Sequence, residues 1–148
     1  MIFDDLTPAE MEAVEAAGIL RSFAKDERLI AEKQPGESFF LLLTGNVEVR
    51  KLMDIGQYRR LATLEPCDVF GEICFLGLPT RSASVVALSD GTALEFSHAA
   101  FTQLVARCPQ IGLKTYRGLA RELAQRLARL DDDLRDALMW AINESRKK

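Results

Sequence analysis

The feature that most constrains this chain is a change of hydrophobic period near Ser97. From Ile19 to about Ser97 the apolar residues alternate with polar ones or form short runs, and each run ends at a turn signal. Beyond Ser97 the spacing lengthens to three and four and stays there. Period two places every second side chain on one face of a pleated strand, whereas spacings of three and four build a stripe along a helix. The chain must therefore fold as a strand-rich body followed by helices. Arg28–Ala31, Ser38–Leu43, Asn46–Met53, Tyr58–Leu64, Ser84–Leu88 and Thr92–Ser97 read as strands. Pro35-Gly36, Thr44-Gly45, Asp54-Ile55-Gly56, Pro66 and Ser89-Asp90-Gly91 punctuate them. Many short strands with short connections predict antiparallel pairing in a sandwich or barrel.

Helices flank and interrupt this body. Thr7-Pro8-Ala9-Glu10 supplies a capping residue, a proline suited to the first helical position and a glutamate three residues after the cap. Met11, Val14 and Ala17 follow at helical spacing, and Gly18 is expected to end that helix in the left-handed conformation. Gly71–Leu76 lacks alternation and is too short for a full helix, which suggests a single helical turn beside the barrel. After Ser97, Phe101, Leu104 and Val105 mark one helix, and Cys108-Pro109 interrupts it. The next helix carries Tyr116, Ala120, Leu123, Leu127, Leu130, Leu134, Ala137 and Ala141, a heptad seam with Glu122, Arg126, Arg129 and Asp133 beside it. The stripe admits two readings, a helix lying on the barrel or a two-stranded homodimer seam whose flanking charges pair between helices.

Composition excludes several function classes. With 148 residues the chain fits one domain, read as 1–112 for the barrel with its short helices and 113–148 for the long lid or dimerisation helix. A net charge of −3 argues against a DNA surface, which needs a basic stripe for phosphates. No run approaches the roughly 20 apolar residues of a membrane span. Met1–Leu6 carries two aspartates where a signal peptide has a basic region. Three cysteines without a CxxC spacing predict reduced thiols and a cytoplasmic protein. His98 is the single histidine, so a catalytic triad or a zinc site has little material, and no enzyme is expected. Trp140 is expected to pack beside the seam, and the tail Arg146-Lys147-Lys148 to be solvated.

The segment Phe70–Ser84 carries the chemistry. A phosphodiester needs positive charge and convergent N–H donors, and a glycine at a helix N-terminus lets the phosphate approach the backbone. Gly71 followed by Glu72-Ile73-Cys74 has that form, and Arg81 offers a planar fork for two phosphate oxygens. Glu72 needs another task, such as accepting a hydrogen bond from a sugar hydroxyl while Arg81 balances its charge.

Phe70-Gly71-Glu72, eight intervening residues and Arg81-Ser82-Ala83-Ser84-Val85 closely resemble the phosphate-binding cassette of cyclic-nucleotide-binding domains. Pro35-Gly36-Glu37-Ser38-Phe39-Phe40 and Thr44-Gly45-Asn46-Val47-Glu48-Val49 are similar to that family's early barrel hairpins, and Pro66-Cys67-Asp68 and Phe101 to Pro109 also sit where the family has them. The resemblance covers about Ile19 to Leu138. It implies an α+β, mainly β fold: an antiparallel, jelly-roll-like double-stranded β-helix with a short cassette helix, an N-terminal helix and a long C-terminal helix. It also implies roles. Glu72 would bind the ribose 2′-hydroxyl and Arg81 the exocyclic phosphate oxygens. The amides of Ile73 and Cys74 would cradle the phosphate, with Ser82 and Ala83 completing that wall. Val49, Ala62 and Leu64 would form the apolar side of the base pocket.

Three departures stand out. Lys33 and Cys67 occupy turn positions where the family usually has glycine. Arg126 and Leu127 stand where the activator branch has hydroxyl residues that contact the base. No DNA-binding, kinase or channel segment follows the long helix in this sequence. The resemblance thus predicts a stand-alone sensor that takes no cofactor, binds cyclic AMP in preference to cyclic GMP, and signals to an unidentified effector. The alternative is an interaction module that keeps the fold without the ligand.

Overall fold

The computed structural model describes residues 1–147; Lys148, the end of the basic tail, lies outside the described residues. The N-terminal helix α1 (Pro8–Ala17) opens with the expected capping box, in which Thr7 accepts from the Glu10 amide and Glu10 accepts from the Thr7 amide. Its exit differs from expectation. Gly18 is extended, with φ −86° and ψ 156°, because strand β1 starts at the next residue.

Eight strands follow, β1 (Ile19–Phe23), β2 (Arg28–Ile30), β3 (Phe39–Thr44), β4 (Val47–Asp54), β5 (Gln57–Leu64), β6 (Val69–Phe70), β7 (Ser84–Ala87) and β8 (Gly91–Phe96). They form two antiparallel four-stranded sheets, ordered β1-β8-β3-β6 and β2-β7-β4-β5. This is the jelly-roll-like barrel implied by the resemblance. The six strands read from the sequence are present within a residue or two of their expected ends. Strands β1 and β6 were not read as strands and complete the first sheet.

The sequence of β3, Phe-Phe-Leu-Leu-Leu-Thr, is apolar on both faces, and both faces are covered. Phe39 and Leu41 point to the helices, in a core with Val14, Phe75, Phe96, Phe101, Ile111 and Leu119. Phe40 and Leu42 point between the sheets, against Val47, Leu64, Phe70, Val85 and Ala93. The single turn α2 (Glu72–Phe75) lies between β6 and β7 and drives Phe75 into the helical core. There Phe75 meets Phe39, Phe101 and Tyr116, with ring centroids 4.6, 5.3 and 6.2 Å apart.

Helix α3 (His98–Arg107) is capped by Ser97, and Pro109 starts α4 (Pro109–Arg146) after the break at Cys108. The 38 residues of α4 span about 57 Å, and the division at 112/113 falls inside this one helix. Its buried residues are Ile111, Gly112, Thr115, Gly118 and Leu119, a stripe beside the heptad seam. Beyond Arg126 every residue to Lys147 is exposed. Leu127, Leu130 and Leu134 of the seam are about 60% exposed, and Trp140, expected to pack, is 69% exposed. Among the described residues these side chains have no partner, because the barrel ends before them. No helix of the described residues is long and apolar enough to cross a membrane.

Phe39 is fully buried and joins the sheet to the cassette turn and to α3. Replacing it with alanine is expected to cost about 3–5 kcal/mol of stability, read by urea unfolding. A loss below about 1 kcal/mol would mean that the aromatic cluster does not carry the core.

Candidate nucleotide site

Gly71 begins the site. Its φ of +79° is left-handed, and a Cβ there would lie 2.9 Å from Arg81 Nη1 and 3.0 Å from Ile30 Cδ1. Glycine meets both demands at once. The turn it opens is α2, whose early amides, at Ile73 and Cys74, lie in the first turn, where helical N–H groups have no intrahelical acceptor.

Arg81 is 9% exposed, and its guanidinium is already held. Nη1 donates to the Ser38 carbonyl at 2.7 Å and to the Gly71 carbonyl at 2.9 Å, and Nη2 to Ser38 Oγ at 3.2 Å. The backbone on either side is fixed too, with the Lys33 amide 2.8 Å from the Arg81 carbonyl and the Arg81 amide 2.8 Å from the Gln34 carbonyl. Gly36 leaves room for this side chain, since a Cβ there would sit 2.2 Å from Arg81 Nε. The motif Pro35–Phe40 is therefore the seat of Arg81.

Glu72 is 3% exposed, and its partner is a correction to the sequence reading. Arg81 forms no ion pair with it among the described residues; that guanidinium bonds instead to Ser38 and Gly71. Arg126 of α4 forms the pair, with Nη1 on Glu72 Oε1. Arg126 Nη2 also reaches Glu122 Oε1 at 3.3 Å and the Val69 carbonyl at 3.4 Å. Sequence reasoning placed Arg126 among the charges flanking the seam, where it signalled an interhelical pair. Its side chain turns to the barrel instead.

One cavity collects most of the expected residues. Gly71, Glu72, Ile73, Cys74, Arg81, Ser82 and Ala83 line its polar side, and Val49 and Leu64 line its apolar side with Ile30, Phe70 and Val85. Arg126 lines it as well. Ala62 does not. It is exposed on β5, the outer strand of its sheet, where it pairs with Val49. The cavity measures about 60 Å³, against roughly 300–1,000 Å³ for pockets that enclose drug-sized ligands.

Behind the polar wall, Lys51 Nζ donates to the Ser82 carbonyl at 2.6 Å and pairs with Glu32 at 2.9 Å. Glu32 also accepts from the Leu52 amide at 3.0 Å, and its own amide donates to Ser84 Oγ at 3.0 Å. Lys33 and Cys67, flagged as departures from glycine, both have positive φ, 67° and 78°. The turns keep the glycine-like geometry despite their side chains.

Comparison with known proteins agrees with this geometry. The model of the cyclic nucleotide-binding domain family matches residues 20–108. A CRP-like cAMP-activated global transcriptional regulator of Mycobacterium tuberculosis is 25% identical over 141 residues, covering 95% of this chain and 61% of its own. Among solved structures, the catabolite activator protein of Thermus thermophilus superposes with a TM-score of 0.80 at 29% identity, over 90% of this chain and 61% of that one. A cyclic nucleotide-binding domain from Methylobacillus flagellatus gives a TM-score of 0.80 at 27% identity, over 88% and 74%. This chain belongs to the cyclic nucleotide-binding domain family. It spans about three fifths of the length of that Mycobacterium regulator and of a cyclic AMP receptor protein of Thermus thermophilus.

The Leu52 amide and the Lys51 ammonium hold the Glu32 carboxyl below its ordinary value of 4.5. A carboxyl whose pKa is lowered by folding contributes stability that is present above the unfolded pKa and lost as pH falls through the folded one. Glu32→Gln is therefore expected to be less stable than the parent at pH 7, with the gap closing as pH drops below about 4.5. Thermal unfolding across pH 3–7 measures it, and a gap that stays constant with pH excludes the ion pair as its source.

Proposed function

We propose that this chain is a regulatory sensor that binds a cyclic nucleotide, prefers cyclic AMP, and acts on an effector as a homodimer joined along α4. The observation that carries the reading is the meeting of Glu72, Arg81 and the first-turn amides of α2 in one cavity with an apolar wall. Arg81 spends three of its five N–H donors on Ser38 and Gly71, which leaves Nε–H and one Nη2–H for phosphate oxygens. The relatives named above, a cAMP-activated regulator and a catabolite activator, support the ligand class.

The preference for cyclic AMP rests on the base. Ribose and phosphate are common to both nucleotides, so Glu72 and Arg81 do not discriminate. Val49 and Leu64, with Ile30, offer no partner for the guanine 6-oxo group, and burying that group unpaired costs about 1–3 kcal/mol. In the family, threonine directly after the arginine favours cyclic GMP. Ser82 lacks the methyl group that fixes a threonine rotamer, so its hydroxyl is free to serve the phosphate instead.

Dimerisation rests on the division of α4 into two stripes. Ile111, Thr115 and Leu119 pack on the domain, while Leu127, Leu130 and Leu134 continue the seam into solvent at heptad spacing. A second reading, an interaction module without a ligand, draws on Arg126, which already satisfies Glu72 inside a cavity of about 60 Å³.

Calorimetric titration separates the two. The parent is expected to bind cyclic AMP more tightly than cyclic GMP, by no more than roughly a hundredfold. Arg81→Ala should weaken binding about thirtyfold or more, and Arg81→Lys should rescue it in part, since an ammonium lacks the planar fork. Full affinity in Arg81→Ala removes the cassette assignment. Sedimentation tests the seam: a dimer for the parent and a monomer for Leu130→Asp, which would bury an unpaired carboxylate. A parent that stays monomeric at tens of micromolar excludes the coiled coil.

A further inference from the structure

We propose that Lys51 is a positioning residue for the phosphate: by holding the Ser82 carbonyl it aims the Ala83 amide into the cavity. This role rests on the nucleotide reading above and adds to it a residue of β4, 31 positions before Ser82. The two ends of the segment Arg81–Ser84 are fixed by the turn after β2. The Arg81 amide and carbonyl bond to Gln34 and Lys33, each at 2.8 Å, and Ser84 Oγ accepts from the Glu32 amide at 3.0 Å. Between them Ser82 and Ala83 form a bend that belongs to neither sheet. Among the described residues no backbone donor reaches the Ser82 carbonyl, but Lys51 Nζ does, at 2.6 Å.

One peptide plane turns this contact into a function. The Ser82–Ala83 peptide is trans, so its carbonyl and its N–H point in opposite directions. Ser82 and Ala83 line the cavity, whereas Lys51 does not. A carbonyl drawn out to Lys51 therefore turns the Ala83 N–H toward the cavity. Among the described residues that N–H has no protein acceptor, which leaves it for a phosphate oxygen. The charge of Lys51 is answered locally. Its Nζ lies 2.9 Å from Glu32, whose carboxylate also accepts from the Leu52 amide at 3.0 Å. Lys51 thus supplies geometry to the phosphate wall, and Arg81 supplies the charge.

Without Lys51 the bend loses its side-chain tie, and the ligand must order the Ala83 amide at the expense of affinity. The experiment is calorimetric titration of the full chain, as parent, Lys51→Met and Lys51→Arg. The ligands are cyclic AMP and its two phosphorothioate diastereomers, in each of which sulfur replaces one exocyclic oxygen. The Lys51 side chain is half-exposed and methionine keeps its apolar stem, so the barrel is preserved. Lys51→Met is expected to bind cyclic AMP about tenfold more weakly than the parent, roughly one hydrogen bond to a charged group. Lys51→Arg still donates to Ser82 and pairs with Glu32, and should stay within about threefold of the parent. The loss in Lys51→Met should persist for one diastereomer and shrink for the one that sets sulfur, a weaker acceptor, on the oxygen facing Ala83. Unchanged affinity in Lys51→Met, or an equal loss for all three ligands, overturns the positioning role and leaves the nucleotide site standing. A parent that binds none of the three removes the nucleotide reading and this proposal with it.

Discussion

A buried guanidinium organises this site. Arg81 is nearly enclosed, and a cation taken from water must be met by hydrogen bonds or it destabilises the fold. Three of its five donors are met by the Ser38 carbonyl and hydroxyl and by the Gly71 carbonyl. Those acceptors lie before β3 and after β6, while Arg81 precedes β7. One side chain thus pins three loops that the sheets alone would leave independent. The left-handed Gly71 turns its carbonyl to the guanidinium and starts α2, so the amides of the cassette are aimed by the same contact. Glycine is needed twice around Arg81, at Gly36 and Gly71, for the same physical reason: the guanidinium lies against the backbone.

The cassette is not isolated from the helices. Its turn is four residues long, too short to be stable by itself, and it is held by Phe75. That ring packs on Phe39 of β3, on Phe101 of α3 and on Tyr116 of α4. Any shift of α2 is therefore felt by all three elements, since a close-packed interior does not absorb displacement. Glu72 opens the same turn and reaches α4 by charge. The site is joined to α4 twice, by an apolar contact near its base and by an ion pair further along.

Much of the fold was legible because its strands are short apolar or alternating runs, each closed by turn residues. β3 announces itself as a strand covered on two faces, and the β4–β5 hairpin by Asp54-Ile55-Gly56. β1 carried no such signal, since only Phe23 of its five residues is buried, and β6 has two residues, below any periodic window. Gly18 was misjudged because a helix stop and a strand start share one residue there. The phosphate side of the site followed from residue types close together in the chain, Gly71 to Ala83. The partner of Glu72 did not: the resemblance sets Arg126 where the activator branch contacts the base, but neither that position nor a helical period tells that its charge pairs with Glu72. Ala62 pairs with Val49 yet lies outside the cavity, on the exposed outer strand β5.

Helix α4 has to satisfy two surfaces with one sequence, and its geometry explains how. A helix of 3.6 residues per turn drifts about 20° per heptad against a 3.5-residue repeat, so a straight stripe and a heptad seam cannot coincide over its length. The stripe Ile111, Thr115, Leu119 serves the domain and stops where the barrel ends, while the seam begins beside it at Tyr116 and continues to Ala141. Between Leu119 and Leu127 the helix changes from one allegiance to the other. Arg126 stands at that handover, one residue before the first fully solvated leucine of the seam, and its long stem lets a charged head reach the barrel from a turn that has already left it. An apolar side chain there would have to choose one surface; a cation on a flexible stem ties the departing helix back to a buried carboxylate without committing the backbone. The residue that links the cavity to the seam is thus an arginine, bonded to Glu72 where α4 leaves the barrel.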